Sequence, residues 1–220
     1  MIAPATGIKG PAEQLNVISS YFDLSQVHGS SQVVADALRT FQGGRLKTSP
    51  GNVLPYDNTT YFTQVQIAAL NMANDAQAVP ESELFATGDR RGYENIELTA
   101  LETLFVRNHN RLATMLQTKH RNWTDEELYQ EARKVNIAQY QNIVYDEWIP
   151  AVLGAAALSA YQGYIPGVDA SIANEFSTVA FRFGHSLLSA DIAREGNDGQ
   201  ALAPGISLAQ GFFDPNLLNP

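Results

Sequence analysis

From Glu97 to His120 the chain reads ELTALETLFVRNHNRLATMLQTKH, and Leu98, Leu101, Leu104, Phe105, Leu112, Met115 and Leu116 recur in steps of three and four. That period gathers them into one stripe, which predicts a long helix packed into a core. In the following NWTDEELYQEARKVNIAQYQNIVYDEWIPAVLG, Thr124 and Glu127 have capping-box spacing, and Leu128, Ala132, Val135, Ile143 and Trp148 carry a second helix to about Pro150. The two are expected to form a helical hairpin across TKHRN. A last helix is predicted from Asp169, a good N-cap residue, through ASIANEFSTVAFRFGHSLLS. Ile172, Phe176, Val179, Phe183 and Leu187 fall on one of its faces, while His185 falls on the other beside Phe181 and Leu188.

Weaker helical patterns lie near Pro11 to Phe22, from Ser31 to Phe41, and within FTQVQIAALNMAND. Between them DLSQVHGSS, QGGRLKTSPGNVLPYDNTTYF and VPESELFATGDRRGYENIE read as irregular chain, the second with short extended pieces. The tail after Glu195 is rich in glycine and proline and shows no recognisable element. The expected fold class is mainly α, with long loops, few or no strands and no internal repeat.

Composition narrows the function. With 220 residues and 45% hydrophobic content the chain is that of an ordinary globular protein. Acidic residues outnumber basic ones by 23 to 14, a net charge of -9 that repels phosphate backbones and anionic lipid, so neither nucleic acid nor membrane is an expected partner. No window is apolar for long enough to span a bilayer. The start lacks the layout of a secretory signal, which leaves a secreted protein without its leader and a cytoplasmic one both open. Zero cysteines excludes disulfides and thiolate chemistry. GxGxxG, GxxxxGK, HExxH and GxSxG motifs are missing, and Glu126 and Glu127 sit at an exposed helix start, where a glycosidase pair has no support.

Three places carry candidate chemistry. His185 is either a packed core residue or a ligand; as a haem ligand it needs flat apolar surroundings, which Phe181, Phe183, Leu187 and Leu188 supply, and a nearby cation, which Arg182 supplies. In FATGDRRGYEN, Arg90 and Arg91 beside Asp89 and Glu94 are either a solvated charge cluster or a desolvated guanidinium placed to stabilise developing charge. In SSYFDLS, Ser19, Tyr21, Asp23 and Ser25 alternate: an extended backbone points them to one side, as oxygen donors for a hard cation, whereas a turn makes them hydroxyl caps. His109 reads as a packing residue and His120 as a surface one.

These places occur in an order that resembles the haem peroxidases of the animal (peroxidase–cyclooxygenase) superfamily, in bacterial form. LTALETLFVRNHNRLATML is similar to that family's HTLxxREHNRLA helix, and DEELYQEARKVNIAQYQNIVYDEWIPAVLG to the LYQEAR helix with its ITYxEFLPxLLG-like end. FRFGHSLL resembles the proximal FRxGHS/T motif, GDRRGYEN the GDxRxNEN motif, and LNVISSYFDLSQVHGSS the calcium loop. The resemblance implies that His185 ligates haem iron with Arg182 near a propionate, that Arg91 is the catalytic arginine, and that Glu94 stands where the family can form an ester to haem b. Asn95 occupies the place of a second, methionine link in some members. Ser19, the Tyr21 carbonyl, Asp23 and Ser25 correspond to an incomplete calcium site. Tyr93 and His28 depart from the usual asparagine and tyrosine.

None of the four histidines is followed by aspartate, as the family's distal histidine is, and no LPxxNxxRxRDHG-like region follows His185. Residues 1–220 are therefore expected to be a single partial domain of this family. The implied function is a haem-dependent peroxidase component or fragment, reducing hydrogen peroxide while oxidising small organic or halide donors, and so tied to oxidative stress. The alternatives are a catalytically inactive helical scaffold or interaction module, and a haem-binding protein without turnover. Unfilled apolar helix faces predict self-association or a complementing peroxidase chain.

Overall fold

The computed structural model describes residues 16–202, 204–212 and 214–218, and among them the chain is mainly α, with two short strands. Four short segments precede the central hairpin: α1 (Ser25–His28), α2 (Gln32–Leu38), α3 (Gln64–Leu70) and a 3-10 turn at Glu81–Glu83. The hairpin is α4 (Ile96–Lys119) packed on α5 (Asp125–Asn142). Local chemistry sets its ends. The extended Asn95 accepts the Glu97 amide on its side chain at 2.8 Å, and Thr124 and Glu127 form the anticipated capping box in both directions. At the turn the His120 ring stacks on Trp123, with centroids 3.8 Å apart. α5 passes through a π-helical stretch, Ile143–Trp148, into α6 (Ile149–Leu153), which stops at Gly154 with φ 93°. That continuity agrees with a helix reaching Pro150.

The core lies where α1–α3 and their loops wrap one side of the hairpin. Leu24, Val27, Leu38, Leu54, Phe62, Leu84, Phe85, Val106 and Tyr129 form its main cluster, and Leu112, Ala113, Leu116, Leu128 and Ala132 seal the hairpin end. Each fully buried Leu, Val or Phe among them contributes roughly 1.5–3 kcal/mol against exposure. The loop after α2 is tied down by ladder-like bonds, Arg39 bridging Leu46 and Ser49 bridging Val53, which are the expected extended pieces. Asn110 of α4 brackets Leu46, accepting its amide at 2.8 Å and donating to its carbonyl at 3.1 Å.

Several expectations are corrected. The predicted stripe on α4 is largely the outer face: Leu98, Leu101, Leu104 and Met115 are exposed, and only Leu112 and Leu116 of the seven are buried. The inner face carries Ile96, Thr99, Glu102, Val106 and His109, which follow the same three-and-four spacing. A helix with two such rows buries the one whose polar groups find partners, and leucine periodicity does not choose between them.

The long helix from Asp169 is replaced by α7 (Asn174–Thr178) and a 3-10 turn at Ala180–Leu187, neither with a buried residue. Asp169 instead accepts the Ser171 amide in a local turn at 2.9 Å. Without an apolar face packed on other elements, helix propensity alone does not sustain the α conformation. The first predicted helix falls partly outside the described residues; Asn16–Phe22 is bent chain, with Asn16 and Ser19 side chains capturing the amides of Ile18 and Tyr21. The loop DLSQVHGSS contains α1. The tail does hold an element: β1 (Asp191–Ile192) pairs antiparallel with β2 (Ile206–Ser207), and their isoleucines pack on Ile96. No helix among the described residues is long and apolar enough to cross a membrane.

Candidate functional site

The arginine loop, Thr87–Asn95, is laid between α1 and the start of α4. Gly88 makes this possible. A Cβ there would strike the Ser25 carbonyl and the Gly29 amide, and the Gly88 amide donates to the Gln26 carbonyl at 2.9 Å. Asp89 then turns the chain and grips Arg91, its Oδ1 accepting from the Arg91 backbone at 2.9 Å and Nε at 3.1 Å, and its Oδ2 from Nη2 at 2.8 Å. The guanidinium side of this pair is 56% exposed and the carboxylate side 16%. Burial pushes the Asp89 carboxyl up, but the Arg91 hydrogen bonds and charge outweigh it and hold the group below its ordinary range. The Asp89 hydrogen bond raises Arg91 in turn. The guanidinium is thus oriented and permanently charged, and it is half in solvent rather than desolvated.

Glu94 is partly buried at the end of the loop, its amide donating to the Arg91 carbonyl at 2.8 Å. Tyr93 is buried with its hydroxyl 3.3 Å from Asn74 Oδ1, and Asn95 is the N-cap of α4. Two side chains of α4 support the loop from beneath. Thr99 Oγ1 donates toward the Gly92 carbonyl at 2.9 Å, and the buried Glu102 carboxyl lies against Gly92 and Thr87.

His185 and Arg182 lie on the exposed 3-10 turn, whose principal packing partner is α7. Arg182 sits 5.5 Å from the centroid of the Phe181 ring, and Phe181, Phe183, Leu187 and Leu188 are all exposed beside His185. Among the described residues the His185 ring makes no hydrogen bond, so its nitrogens are chemically open for ligation. An unclaimed imidazole, apolar side chains and a cation are the donor set a porphyrin requires, and the residues present fit that group. The structure does not bring His185 and Arg91 together through any shared contact among the described residues.

The segment Ser19–Ser25 is bent rather than extended. Ser19 Oγ accepts the Tyr21 amide at 3.1 Å, Asp23 Oδ1 accepts the Ser25 amide at 3.0 Å, and Leu24 is left-handed at φ 52°. Asp23 thereby takes the first amide of α1, while Ser19 closes a separate local turn upstream. Among the described residues no group of three or more carboxylates and imidazoles gathers to hold a metal ion.

A buried polar cluster that no motif marks lies between α1, α4 and α5. His28 and His109 are fully buried, with rings edge to face at 5.0 Å, and Tyr129 packs against both. His109 Nε2 lies 2.8 Å from the Gly44 carbonyl, which only accepts, so Nε2 carries the proton. Burial lowers both imidazoles, His28 well below its usual value and His109 to about 4. The buried Arg39 lies over the Tyr129 ring at 3.9 Å and pairs with Asp125 at 2.9 Å and Glu126 at 2.6 Å. The signal was present as the spacing of Glu102 and His109 along the second row of α4. His109 is thus a packing residue and His120 a surface one.

The model of the animal haem peroxidase family matches residues 3–220. Peroxinectin A of Dictyostelium discoideum is 37% identical over 209 residues, covering 94% of this chain and 37% of that protein. A Drosophila melanogaster protein named peroxidase is 36% identical over 225 residues, covering 95% of this chain and 31% of its own length. Among solved structures, peroxidase A from Dictyostelium discoideum superposes with a TM-score of 0.84 at 36% identity, over 94% of this chain and 39% of that one. A fatty acid alpha-dioxygenase of Oryza sativa reaches a TM-score of 0.60 at 20% identity over 90% of this chain and 34% of that one, a likeness of fold. The chain therefore spans well under half the length of these relatives.

Proposed function

Since the chain belongs to the animal haem peroxidase family, we propose that it serves as a haem-dependent peroxidase component, reducing hydrogen peroxide at the expense of small organic or halide donors. The observation that carries this reading is the conjunction of the family match over residues 3–220 with an unclaimed imidazole, His185, among exposed apolar side chains. Bound haem b would supply the redox chemistry, held by His185 through a ring nitrogen, by Phe181, Phe183, Leu187 and Leu188 against its faces, and by Arg182 at a propionate. Glu94 is the candidate for an ester link.

Arg91 supplies a fixed cation for charge on a peroxide oxygen, and Asp89 keeps that cation aimed by a two-point grip. A proton-moving base beside it is not provided by the remaining histidines. His28 and His109 are buried with depressed basicity, and His120 is stacked on Trp123. Ser19, the Tyr21 carbonyl, Asp23 and Ser25 are an incomplete calcium-facing set. Asp23 is its single charged donor, and two of its oxygens already accept backbone amides, so a cation there needs further anionic ligands. The exposed apolar residues of α4 and the groove of about 720 Å³ that Leu104, Phe105, Val135 and Ile143 help line are surfaces for association with a second copy or a complementing peroxidase segment.

Titration with haemin tests the reading. A sharp Soret band that disappears in His185→Ala is expected, together with peroxide-dependent oxidation of a chromogenic donor that disappears in Arg91→Ala. A Soret band unchanged in His185→Ala would overturn the ligand assignment, and turnover unchanged in Arg91→Ala would overturn the role of the cation.

A further inference from the structure

We infer that the groove between α4 and the loop after α2 is a binding site for a small multivalent oxyanion, a ligand carrying phosphate or carboxylate groups. The groove holds about 1310 Å³, and Arg45, Lys47, Arg107 and Arg111 line it with no carboxylate among the described lining residues. In a chain where acidic residues outnumber basic ones by 23 to 14, so much of one sign in one place reverses the character of the whole. The inference stands apart from the peroxidase reading, because none of these four residues belongs to the haem-facing set.

The backbone sets the cations on two facing walls. Leu46 is buried, and its bridge to Arg39 keeps this stretch of the loop extended. Neighbours in extended chain point away from the residue between them, so Arg45 and Lys47 leave the backbone on the side opposite Leu46. Arg107 and Arg111 stand one turn apart on the same face of α4, with Asn110 between them in sequence. Asn110 is also the side chain that accepts the Leu46 amide at 2.8 Å and donates to its carbonyl at 3.1 Å. That clamp fixes one pair of cations against the other.

Every acceptor these cations meet is neutral. Arg107 Nε and Nη2 donate to the carbonyls of Asn52 and Gly51 at 2.7 and 3.2 Å, and Arg111 Nε and Nη2 to Asn108 Oδ1 at 3.2 and 2.9 Å. Arg45 Nη2 donates to Gln117 Oε1 at 3.3 Å, and Lys47 to the Tyr61 carbonyl at 2.9 Å. The contacts hold the cations in place and leave their charge uncompensated. Asp125, which anchors the same loop through the Gly44 amide, is spent on Arg39. Burial lowers Lys47, and no carboxylate offsets it. Thr114 and Thr118, which also line the groove, commit their hydroxyl hydrogens to the carbonyls of Asn110 and Thr114 at 2.8 and 3.0 Å. The strongest donors left to a ligand are therefore cationic N–H groups, whose fork matches the oxygens of phosphate or carboxylate. A monovalent ion answers only part of this charge, whereas a multivalent one reaches both walls.

Calorimetric titration of the full chain at constant ionic strength tests this, with pyrophosphate and citrate as probes and acetate as the monovalent control. Saturable one-to-one binding is expected for at least one of the two multivalent probes, and the tighter of them identifies phosphate or carboxylate as the chemistry. Arg107→Gln and Arg111→Gln should each weaken it about tenfold, the size of one lost charge-assisted contact. Lys134→Gln, which removes the same charge from an ion pair with Glu131 on α5, should leave it unchanged. In the parent, the Leu46 backbone amide and the Asn110 side-chain amide should shift in NMR spectra as probe is added while the Ala132 amide stays still, a reading that needs no variant. Absence of saturable binding by both multivalent probes, acetate binding as tightly, equal weakening in Lys134→Gln, or unmoved Leu46 and Asn110 signals would each overturn the site.

Discussion

Replacing His109 by glutamine should change how the fold responds to acid. His109 is fully buried, donates from Nε2 to the Gly44 carbonyl, and has an Nδ1 without a partner. Its folded value is about 4 against 6.5 in the unfolded chain, because burial first, and then the Arg133 and Arg39 charges, oppose a second proton. Above pH 6.5 both states are neutral and its contribution is complete. As pH falls below 6.5 the unfolded chain takes up the proton first, and stability is lost down to about pH 4. The difference of about 2.5 units at 1.36 kcal/mol each gives roughly 3 kcal/mol.

The parent alone will not reveal this. Asp57, raised by burial to about 6, and Glu102, raised by burial and Asp89, gain stability over much of the same interval. Glutamine keeps an amide nitrogen near the place of Nε2 but cannot titrate, so the comparison cancels the carboxyls. Urea denaturation followed by tryptophan fluorescence, at pH 7 and near pH 4, should find the deficit of His109→Gln shrinking by about 3 kcal/mol in acid. A parent-minus-variant difference that stays within about 1 kcal/mol across this range would refute the buried neutral imidazole.

Two further substitutions test the local geometry. Gly44→Ala should cost at least about 3 kcal/mol by urea denaturation, because φ is +67° and a Cβ would press on the Tyr129 amide and Leu128; Gly51→Ala, at φ +83° with open space around it, should cost only about 1 kcal/mol. Thr124→Ala removes one arm of the capping box of α5 and should cost about 1 kcal/mol in the same assay.

Helices whose ends are written in local chemistry were legible in the sequence. Thr124 with Glu127 marks the start of α5, and the run to Pro150 survives the π-helical stretch because its spacing tolerates one widened turn. The extent of α4 was equally plain, but not its orientation, since Leu101 and Glu102 belong to rows of equal regularity and only tertiary hydrogen bonding selects the inner one. The helix around His185 was overextended because periodicity records an apolar surface, not the presence of something to cover it. Arg91, whose partner Asp89 lies two residues away, is legible from its motif, but the buried Glu102 is not, because its burial depends on which row of α4 turns inward.

The inverted arrangement of α4 acts as a key in a lock. Rolling the helix about its axis to sink Leu98, Leu101 and Leu104 inward would pull Thr99 from Gly92, His109 from Gly44 and Asn110 from Leu46, so gain in oil contact is set against broken polar registry. The helix therefore keeps one azimuth, and its outward leucine ladder is a fixed, ready-made template rather than a face that folding will swallow.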